Sequence, residues 1–210
     1  MNAAELKVIP VAASQPDGMG KNLVLLHGWG SNAEDLASLQ DYFEHQSWNL
    51  YCLNGIFPHP HAPGGWMWYD LDRPDWPGLD QSREVVLAWM HGLEARSGVP
   101  LSRTVIGGFS QGAAMSLDLA TVLPVAGVMV LSGYLHPHLS LEALGDPPPQ
   151  VLMVHGRQDT IVPIETGRKV HHFLQTAPKP LTLTYEEMDA GHEVNLQGLK
   201  AIERFLAQVL

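Results

Sequence analysis

The chain has 210 residues, of which 45% are apolar and 16% charged, a composition that supplies a folded core and excludes a disordered protein. Its net charge of -10 argues against binding to nucleic acid or stable insertion into an anionic membrane. The sequence shows no signal peptide or membrane span, and the single cysteine, Cys52, excludes an internal disulfide. We therefore expect one soluble, cytoplasmic domain over residues 1–210 and make no prediction of its oligomeric state.

Short apolar runs alternate with amphipathic segments along the chain. Strands are predicted over 5–13, 22–27, 48–53, 104–109, 125–131, 150–155 and 181–186, and Pro10 marks the first as an edge strand. Helices are predicted over 80–98, 113–120, 164–175 and 195–210, and a further one, capped by Ser31 or Asn32, contains Leu36, Leu39 and Phe43. This alternation predicts an α/β fold, with a mostly parallel central sheet and helices on both of its faces.

Residues 54–79 form the least regular segment, which is rich in proline and aromatic residues. Because it is too long for an ordinary connection in a compact domain, we expect a functional loop. We predict that Phe57, Trp66 and Trp68 bind substrate in an apolar pocket. The alternative is that the aromatic residues only cover an edge of the sheet.

The sequence GFSQG at 108–112 is a G-x-S-x-G pattern centred on Ser110. A β-branched run precedes it and a helix-forming run follows it, which is the context of a nucleophile elbow. In such an elbow, a sharp strand-to-helix turn exposes the serine hydroxyl, and the flanking Gly108 and Gly112 leave room where a side chain would collide. The alternative is that Ser110 is an ordinary helix cap.

Two further candidates also follow predicted strands, namely Asp159 and His192. The carboxyl ends of parallel strands meet at one edge of a sheet, where catalytic groups gather. The order Ser, Asp, His is that of α/β-hydrolases. We predict that Ser110 is the nucleophile, His192 the general base and Asp159 the carboxylate that orients it, with Asp189 as the competing acid.

A tetrahedral intermediate also needs hydrogen-bond donors for its oxyanion. One donor is expected from the amide after the nucleophile, that of Gln111. The second is expected from the glycine-rich turn HGWG at 27–30, through the amide of Trp29.

The chain has 11 histidines, and several compete with His192. Without a third ligand or a cysteine cluster, pairs of histidines do not predict a metal site. Strand-end histidines are expected to hold turns by hydrogen bonds. Among the serines, Ser132 is also predicted at a strand end, but it lacks the glycine that precedes a nucleophile in a G-x-S-x-G pattern. The pairs are His59 and His61, His136 and His138, and His171 and His172, and the strand-end residues are His27 and His155.

The segments HGWG, GGWMWYDL, GFSQGAAMSLDLA, HGRQDTIVP and AGHE occur in this order over nearly the whole chain. In this the chain resembles the phospholipase/carboxylesterase family of α/β-hydrolases, which includes the acyl-protein thioesterases. The resemblance implies a fold without a large lid domain, no metal or organic cofactor, and the triad and oxyanion residues given above. Ala113 stands where the family often has glycine, and Leu53-Asn54-Gly55 replaces its usual proline-asparagine-alanine stretch, which bears on substrate preference.

We therefore predict a serine carboxylesterase that cleaves a small-molecule or lipid-like ester through an acyl-enzyme on Ser110. Lysophospholipase or acyl-protein thioesterase activity is the alternative within the same chemistry. Outside enzymes, the alternative is a non-catalytic protein of the same fold that binds an acyl ligand.

Overall fold

The structure of the chain is a computed structural model that describes residues 6–15, 18–38 and 47–210. Nine strands lie in these ranges. They are β1 (Val8–Val11), β2 (Lys21–Leu26), β3 (Trp48–Leu53), β4 (Phe57–Pro58), β5 (Trp66–Met67), β6 (Thr104–Phe109), β7 (Gly127–Leu131), β8 (Gln150–Gly156) and β9 (Leu183–Met188).

Seven of these strands form a central sheet in the order β1-β3-β2-β6-β7-β8-β9, and β4 pairs with β5 in a separate hairpin. Among the strands of the described residues, only β1 runs antiparallel to its neighbour in the central sheet, and the other pairings there are parallel. β1 is also the edge strand, where Pro10 removes no hydrogen bond from an interior ladder. The predicted mostly parallel sheet is confirmed, and its parallel strands end at a common edge.

Six α-helices cover the two faces of the sheet in the described ranges. They are α1 (Ala33–Ala37), α2 (Leu79–His91), α3 (Leu93–Ser97), α4 (Gln111–Ala120), α5 (Ile164–Leu174) and α6 (Leu196–Val209). The apolar side chains of α2, α3, α4 and α5 pack on one face, and those of α1 and α6 pack on the other. The interior strands are buried on both faces, which explains why they read as continuous apolar runs.

Several boundaries differ from those predicted. The predicted helix over 80–98 is two helices, α2 and α3, that meet at Gly92, where the poor helix propensity of glycine weakens a continuous helix. The predicted strand over 181–186 extends to Met188 because it pairs with β8 as far as Gly156. Of the first predicted helix, Leu36 lies in α1, whereas Leu39 and Phe43 lie outside the described residues.

Among the described helices, none combines the length and the apolar character needed to cross a membrane. Within residues 47–210, the long segment after β3 forms β4, β5 and turns rather than a helical lid.

Candidate active site

Ser110 lies between β6 and α4 in a sharply bent backbone, with φ of 53° and ψ of -114°. A non-glycine residue rarely adopts a positive φ, and such strain is typical of functional sites. The turn is held by the Ser110 amide, which donates to the Leu131 carbonyl at 2.8 Å. The serine side chain makes no capping hydrogen bond to the helix. The geometry is that of an elbow, and the alternative of an ordinary helix cap does not apply.

The two glycines of the pattern are required by packing at the elbow. A Cβ on Gly108 would lie 2.5 Å from the backbone carbonyl carbon of Gly112, and one on Gly112 would lie 2.2 Å from the carbonyl oxygen of Leu26. Both distances are too short for any side chain. The absence of these side chains lets the start of α4 lie directly against the end of β2.

Asp159 and His192 are 33 residues apart in sequence and hydrogen-bonded in the structure. The Nδ1–H of His192 donates to Asp159 Oδ2 at 2.7 Å, while Asp159 Oδ1 accepts from the amides of Ile161 and Val162 at 2.9 and 2.8 Å. Burial raises the pKa of Asp159, but the hydrogen bonds from His192 and the two amides outweigh it and lower the pKa overall. Asp159 is therefore an ionised, buried carboxylate that fixes the orientation of one imidazole.

Asp189, the competing acid, is placed differently. Its side chain is 80% exposed and accepts a hydrogen bond from Arg157 Nη1 at 2.7 Å. The carboxylate of Asp189 therefore belongs to a surface ion pair and makes no described contact with His192.

The turn after β2 approaches the nucleophile closely. A Cβ on Gly28 would lie 3.6 Å from the Cβ of Ser110, so the HGWG turn borders the serine. This turn is held by the β5 hairpin, because the Gly30 amide donates to the Trp66 carbonyl at 2.9 Å and the Trp66 amide donates to the Ser31 carbonyl at 2.8 Å. Trp29, the predicted oxyanion donor, is thus carried on a backbone segment fixed beside Ser110.

Gln111, the other predicted donor, is the first residue of α4, and its amide has no helical acceptor one turn earlier. Its side chain is fully buried and engaged elsewhere. The Oε1 atom accepts from the Trp68 amide at 2.9 Å, and Nε2 donates to the Tyr69 carbonyl at 2.7 Å. These bonds attach the aromatic loop to the elbow, a role that the sequence did not reveal.

A cavity of about 930 Å³ contains the candidate residues Ser110 and His192 in its wall, together with Trp29. It is lined from both faces of the sheet. One side is largely aliphatic and belongs to the face covered by α1 and α6. The other side belongs to the opposite face. The aliphatic side includes Leu23, Leu25, Leu36, Met129, Leu199 and Ile202, and the other side includes Leu71, Trp76 and Tyr134.

The three aromatic residues predicted to bind substrate are not among those that line this cavity. Phe57 packs against Gly78, where an added Cβ would lie 2.5 Å from its ring. Trp66 lies in the hairpin that holds the HGWG turn, and Trp68 is completely buried, with its Nε1–H donating to the His27 carbonyl at 2.9 Å. The indole of Trp68 points into the core and does not reach the cavity. The loop contributes to the cavity wall through Leu71 and Trp76 instead.

The strand-end histidines hold turns, as expected. His27 is fully buried, donates from Nδ1 to the Gly28 carbonyl at 2.7 Å and accepts at Nε2 from the Gly55 amide at 2.8 Å. Its pKa is lowered chiefly by burial. His155 donates from Nε2 to the Val162 carbonyl at 2.7 Å and supports the loop that carries Asp159.

The histidine pairs have separate environments in the structure. His136 is buried and hydrogen-bonded to Asp118, His171 stacks on Tyr185 with ring centroids 4.8 Å apart, and His59 Nδ1 accepts from the His61 amide. Across residues 6–15, 18–38 and 47–210, no three histidine, cysteine or carboxylate side chains are grouped so that they could hold a metal ion.

Comparison with known proteins identifies the protein family of this chain. The profile of the phospholipase/carboxylesterase family matches residues 9–210. The chain belongs to this family. It is 31% identical to acyl-protein thioesterase 1 of Neurospora crassa over 90% of this chain and 86% of that protein. It is 26% identical to lysophospholipase-like protein 1 of Mus musculus over 94% and 91% of the two chains.

The fold comparison agrees with this family membership. The crystal structure of esterase PE8 superposes with a TM-score of 0.80 at 25% identity, covering 97% of this chain and 98% of the other. This phospholipase/carboxylesterase family member is therefore an enzyme of the α/β-hydrolase fold that hydrolyses carboxylic esters.

Proposed function

We propose that this family member is a serine carboxylesterase in which Ser110, His192 and Asp159 form the catalytic triad. The observation that carries this proposal is the 2.7 Å hydrogen bond from His192 Nδ1 to Asp159, in a cavity whose wall includes the strained Ser110. With Nδ1 protonated, a neutral His192 has an unprotonated Nε2, which is the atom that must accept a proton from the nucleophile.

In the proposed reaction, Ser110 Oγ attacks the ester carbonyl carbon while His192 Nε2 removes its proton. The tetrahedral intermediate collapses, and His192 returns that proton to the departing alcohol, leaving an acyl group on Ser110. A water molecule, deprotonated by the same nitrogen, then attacks the acyl-enzyme. As this second intermediate collapses, His192 returns the proton to Ser110 Oγ and the carboxylic acid is released. The Asp159 carboxylate stabilises the imidazolium in both halves.

We infer that the amides of Trp29 and Gln111 bind the oxyanion. Two features support this assignment. The Gln111 amide is the first of α4, where the helix dipole also favours negative charge, and the Trp29 turn borders Ser110 through Gly28. Because both donors are backbone groups in positions fixed by neighbouring hydrogen bonds, they need little reorganisation during the reaction.

The triad is tested by Ser110→Ala with a p-nitrophenyl ester and a fluorophosphonate probe. We expect hydrolysis to fall by several orders of magnitude and labelling to disappear, while the thermal unfolding temperature changes little. Ser132→Ala is a matched control, since Ser132 also directly follows a strand and has a positive φ of 49°; it should keep hydrolysis and labelling. Retained hydrolysis in Ser110→Ala, or labelling that maps to another residue, would contradict the proposal.

A second candidate function is favoured by the aliphatic side of the cavity. A volume of about 930 Å³ is near the upper end for small-molecule sites, and the leucine and isoleucine side chains there suit a long acyl chain. Such chains occur in lysophospholipids and acylated proteins, the substrate types of the alternative activities. We expect kcat/KM to rise with acyl length on matched esters and thioesters, and a preference for acetyl groups would contradict the long-chain assignment.

The cytoplasmic location, the single domain and the lack of a nucleic-acid partner stay predictions from the sequence.

A further inference from the structure

A chain of hydrogen-bonded side chains leads from α4 to the cavity. His136 Nδ1–H donates to Asp118 Oδ2 at 2.9 Å, and His136 Nε2 lies 3.0 Å from the Tyr69 hydroxyl. The Tyr69 hydroxyl in turn lies 2.7 Å from the hydroxyl of Tyr134. Tyr134 lines the cavity that contains Ser110. None of these four residues belongs to the proposed triad or oxyanion hole.

The end of this hydrogen-bond series farthest from the cavity is Asp118, which carries a fixed negative charge. Asp118 is buried and also accepts from Arg83 Nε at 3.1 Å. Burial raises the pKa of Asp118, but the hydrogen bonds from His136 and Arg83 outweigh it and lower the pKa overall. An ionised carboxylate accepts only, so it fixes a proton of His136 on Nδ1 and holds the imidazole in place.

The outer end is held rigidly by aromatic packing. Trp76 stacks on Tyr69 with ring centroids 5.5 Å apart and meets the ring of Tyr134 edge-on at 5.7 Å. Burial raises the pKa of both tyrosines, so each keeps its proton at ordinary pH. The Tyr134 hydroxyl is therefore a neutral, preorganised polar group in a largely apolar wall.

This hydroxyl has unused hydrogen-bonding capacity. A phenol can donate one hydrogen bond and accept more, and the bond to Tyr69 is the one that Tyr134 makes within the described residues. If Tyr134 donates to Tyr69, its lone pairs are free; if it accepts from Tyr69, its proton is free. A ligand hydroxyl, which both donates and accepts, can pair with Tyr134 in either case.

We propose that the Tyr134 side of the cavity is a subsite for the alcohol portion of the ester, where Tyr134 binds a hydroxyl group of that alcohol. This rests on the proposed function, because an ester carbonyl at Ser110 would direct its two substituents to opposite sides of the cavity. The aliphatic side suits the acyl chain, and the side with Leu71, Trp76 and Tyr134 takes the alcohol. Tyr134 is a specificity-determining residue, and Tyr69, His136 and Asp118 are positioning residues.

The test compares two esters of one fatty acid, the glycerol monoester and the propyl ester, in the wild type and in Tyr134→Phe. The glycerol ester carries free hydroxyl groups and the propyl ester carries none. We expect Tyr134→Phe to lower kcat/KM for the glycerol ester by roughly 2- to 12-fold, the range for one neutral hydrogen bond. The propyl ester should lose clearly less, because Tyr134→Phe keeps the aromatic ring and removes only the hydroxyl.

Two further variants separate this role from a merely structural one. Tyr69→Phe removes the preceding link and should cause a smaller loss than Tyr134→Phe, again greater for the glycerol ester than for the propyl ester. Tyr185→Phe is the matched control, because its hydroxyl donates to Glu187 on β9, and it should leave both esters unaffected. Equal effects of Tyr134→Phe on the two esters, or no effect on either, would overturn the subsite.

Failure of the subsite and failure of the proposed function have different results. If Ser110→Ala abolishes hydrolysis of both esters while Tyr134→Phe does not discriminate between them, only the subsite is wrong. If Ser110→Ala hydrolyses both esters normally, the proposed triad is wrong and the subsite is overturned with it.

Discussion

Asp159→Asn is the substitution for which the structure makes the sharpest prediction. The carboxylate uses Oδ1 for the amides of Ile161 and Val162 and Oδ2 for His192. An asparagine has one oxygen and one NH₂ group, so it cannot satisfy both sets of donors. Turning the NH₂ toward the backbone would leave the buried amide of Val162 and the partly buried amide of Ile161 unpaired, the first at a cost of about 1–3 kcal/mol, against a single bond lost at His192.

The asparagine oxygen is therefore expected to stay on the backbone amides, with its NH₂ group facing His192 Nδ1. This arrangement requires an unprotonated Nδ1 and moves the ring proton to Nε2. A neutral histidine in that tautomer cannot accept the proton of Ser110. We expect kcat to fall about 10⁴-fold, which corresponds to about 5 kcal/mol in the activation free energy. KM should change little, because Asp159 does not line the cavity.

The assay measures kcat and KM on a p-nitrophenyl ester, the rate of fluorophosphonate labelling, and unfolding by urea. Asp189→Asn is the matched control, since Asp189 is the competing acid and sits in an exposed ion pair; its kcat should be unchanged. The reasoning is refuted if Asp159→Asn keeps more than about a tenth of the wild-type kcat, which a misprotonated triad cannot support. It is also refuted if Asp189→Asn loses as much activity.

Two further predictions concern stability. Gly112→Ala should destabilise the fold by about 1–3 kcal/mol through overpacking, since its Cβ would lie 2.2 Å from the Leu26 carbonyl oxygen. Gly145→Ala, whose Cβ would meet no atom closer than 3.5 Å, is the control, and equal losses in urea denaturation would contradict the packing argument. Burial lowers the pKa of His27, so the unfolded chain binds a proton first as pH falls below about 6.5. The free energy of unfolding should therefore decrease on acidification below about pH 6.5, by up to about 1.4 kcal/mol per pH unit from this group. His27→Gln should remove this contribution. If the dependence of the unfolding free energy on pH is the same in His27→Gln and the wild type, His27 is not its source.

The aromatic loop shows where sequence reasoning fails. Phe57, Trp66 and Trp68 are large aromatic residues in a long loop, and their sequence gives no sign of which ring faces the core. In the structure, Gln111 accepts from the Trp68 amide and holds the loop so that the Trp68 indole is buried, while Trp76 reaches the cavity. Side-chain direction in an irregular segment depends on such long-range bonds, which leave no local periodicity.

The series of hydrogen bonds that joins Asp118, His136, Tyr69 and Tyr134 illustrates the same limit of sequence reasoning. Asp118 lies within α4, and His136 and Tyr134 follow β7, so nothing in their spacing indicates contact with Tyr69. Packing of α4 and the aromatic loop on the same face of the sheet brings them together.

The sequence by itself determined the order of strands and helices, the parallel sheet, and the placement of Ser110, Asp159 and His192 after strands. These features depend on local patterns, because apolar runs, turn glycines and strand ends are properties of neighbouring residues. Only the tertiary structure decided that Asp159 rather than Asp189 contacts His192, and that Trp76 and Tyr134 rather than Trp68 line the cavity. Those choices depend on distances between segments far apart in the chain, and such distances are set when the two faces of the sheet are packed.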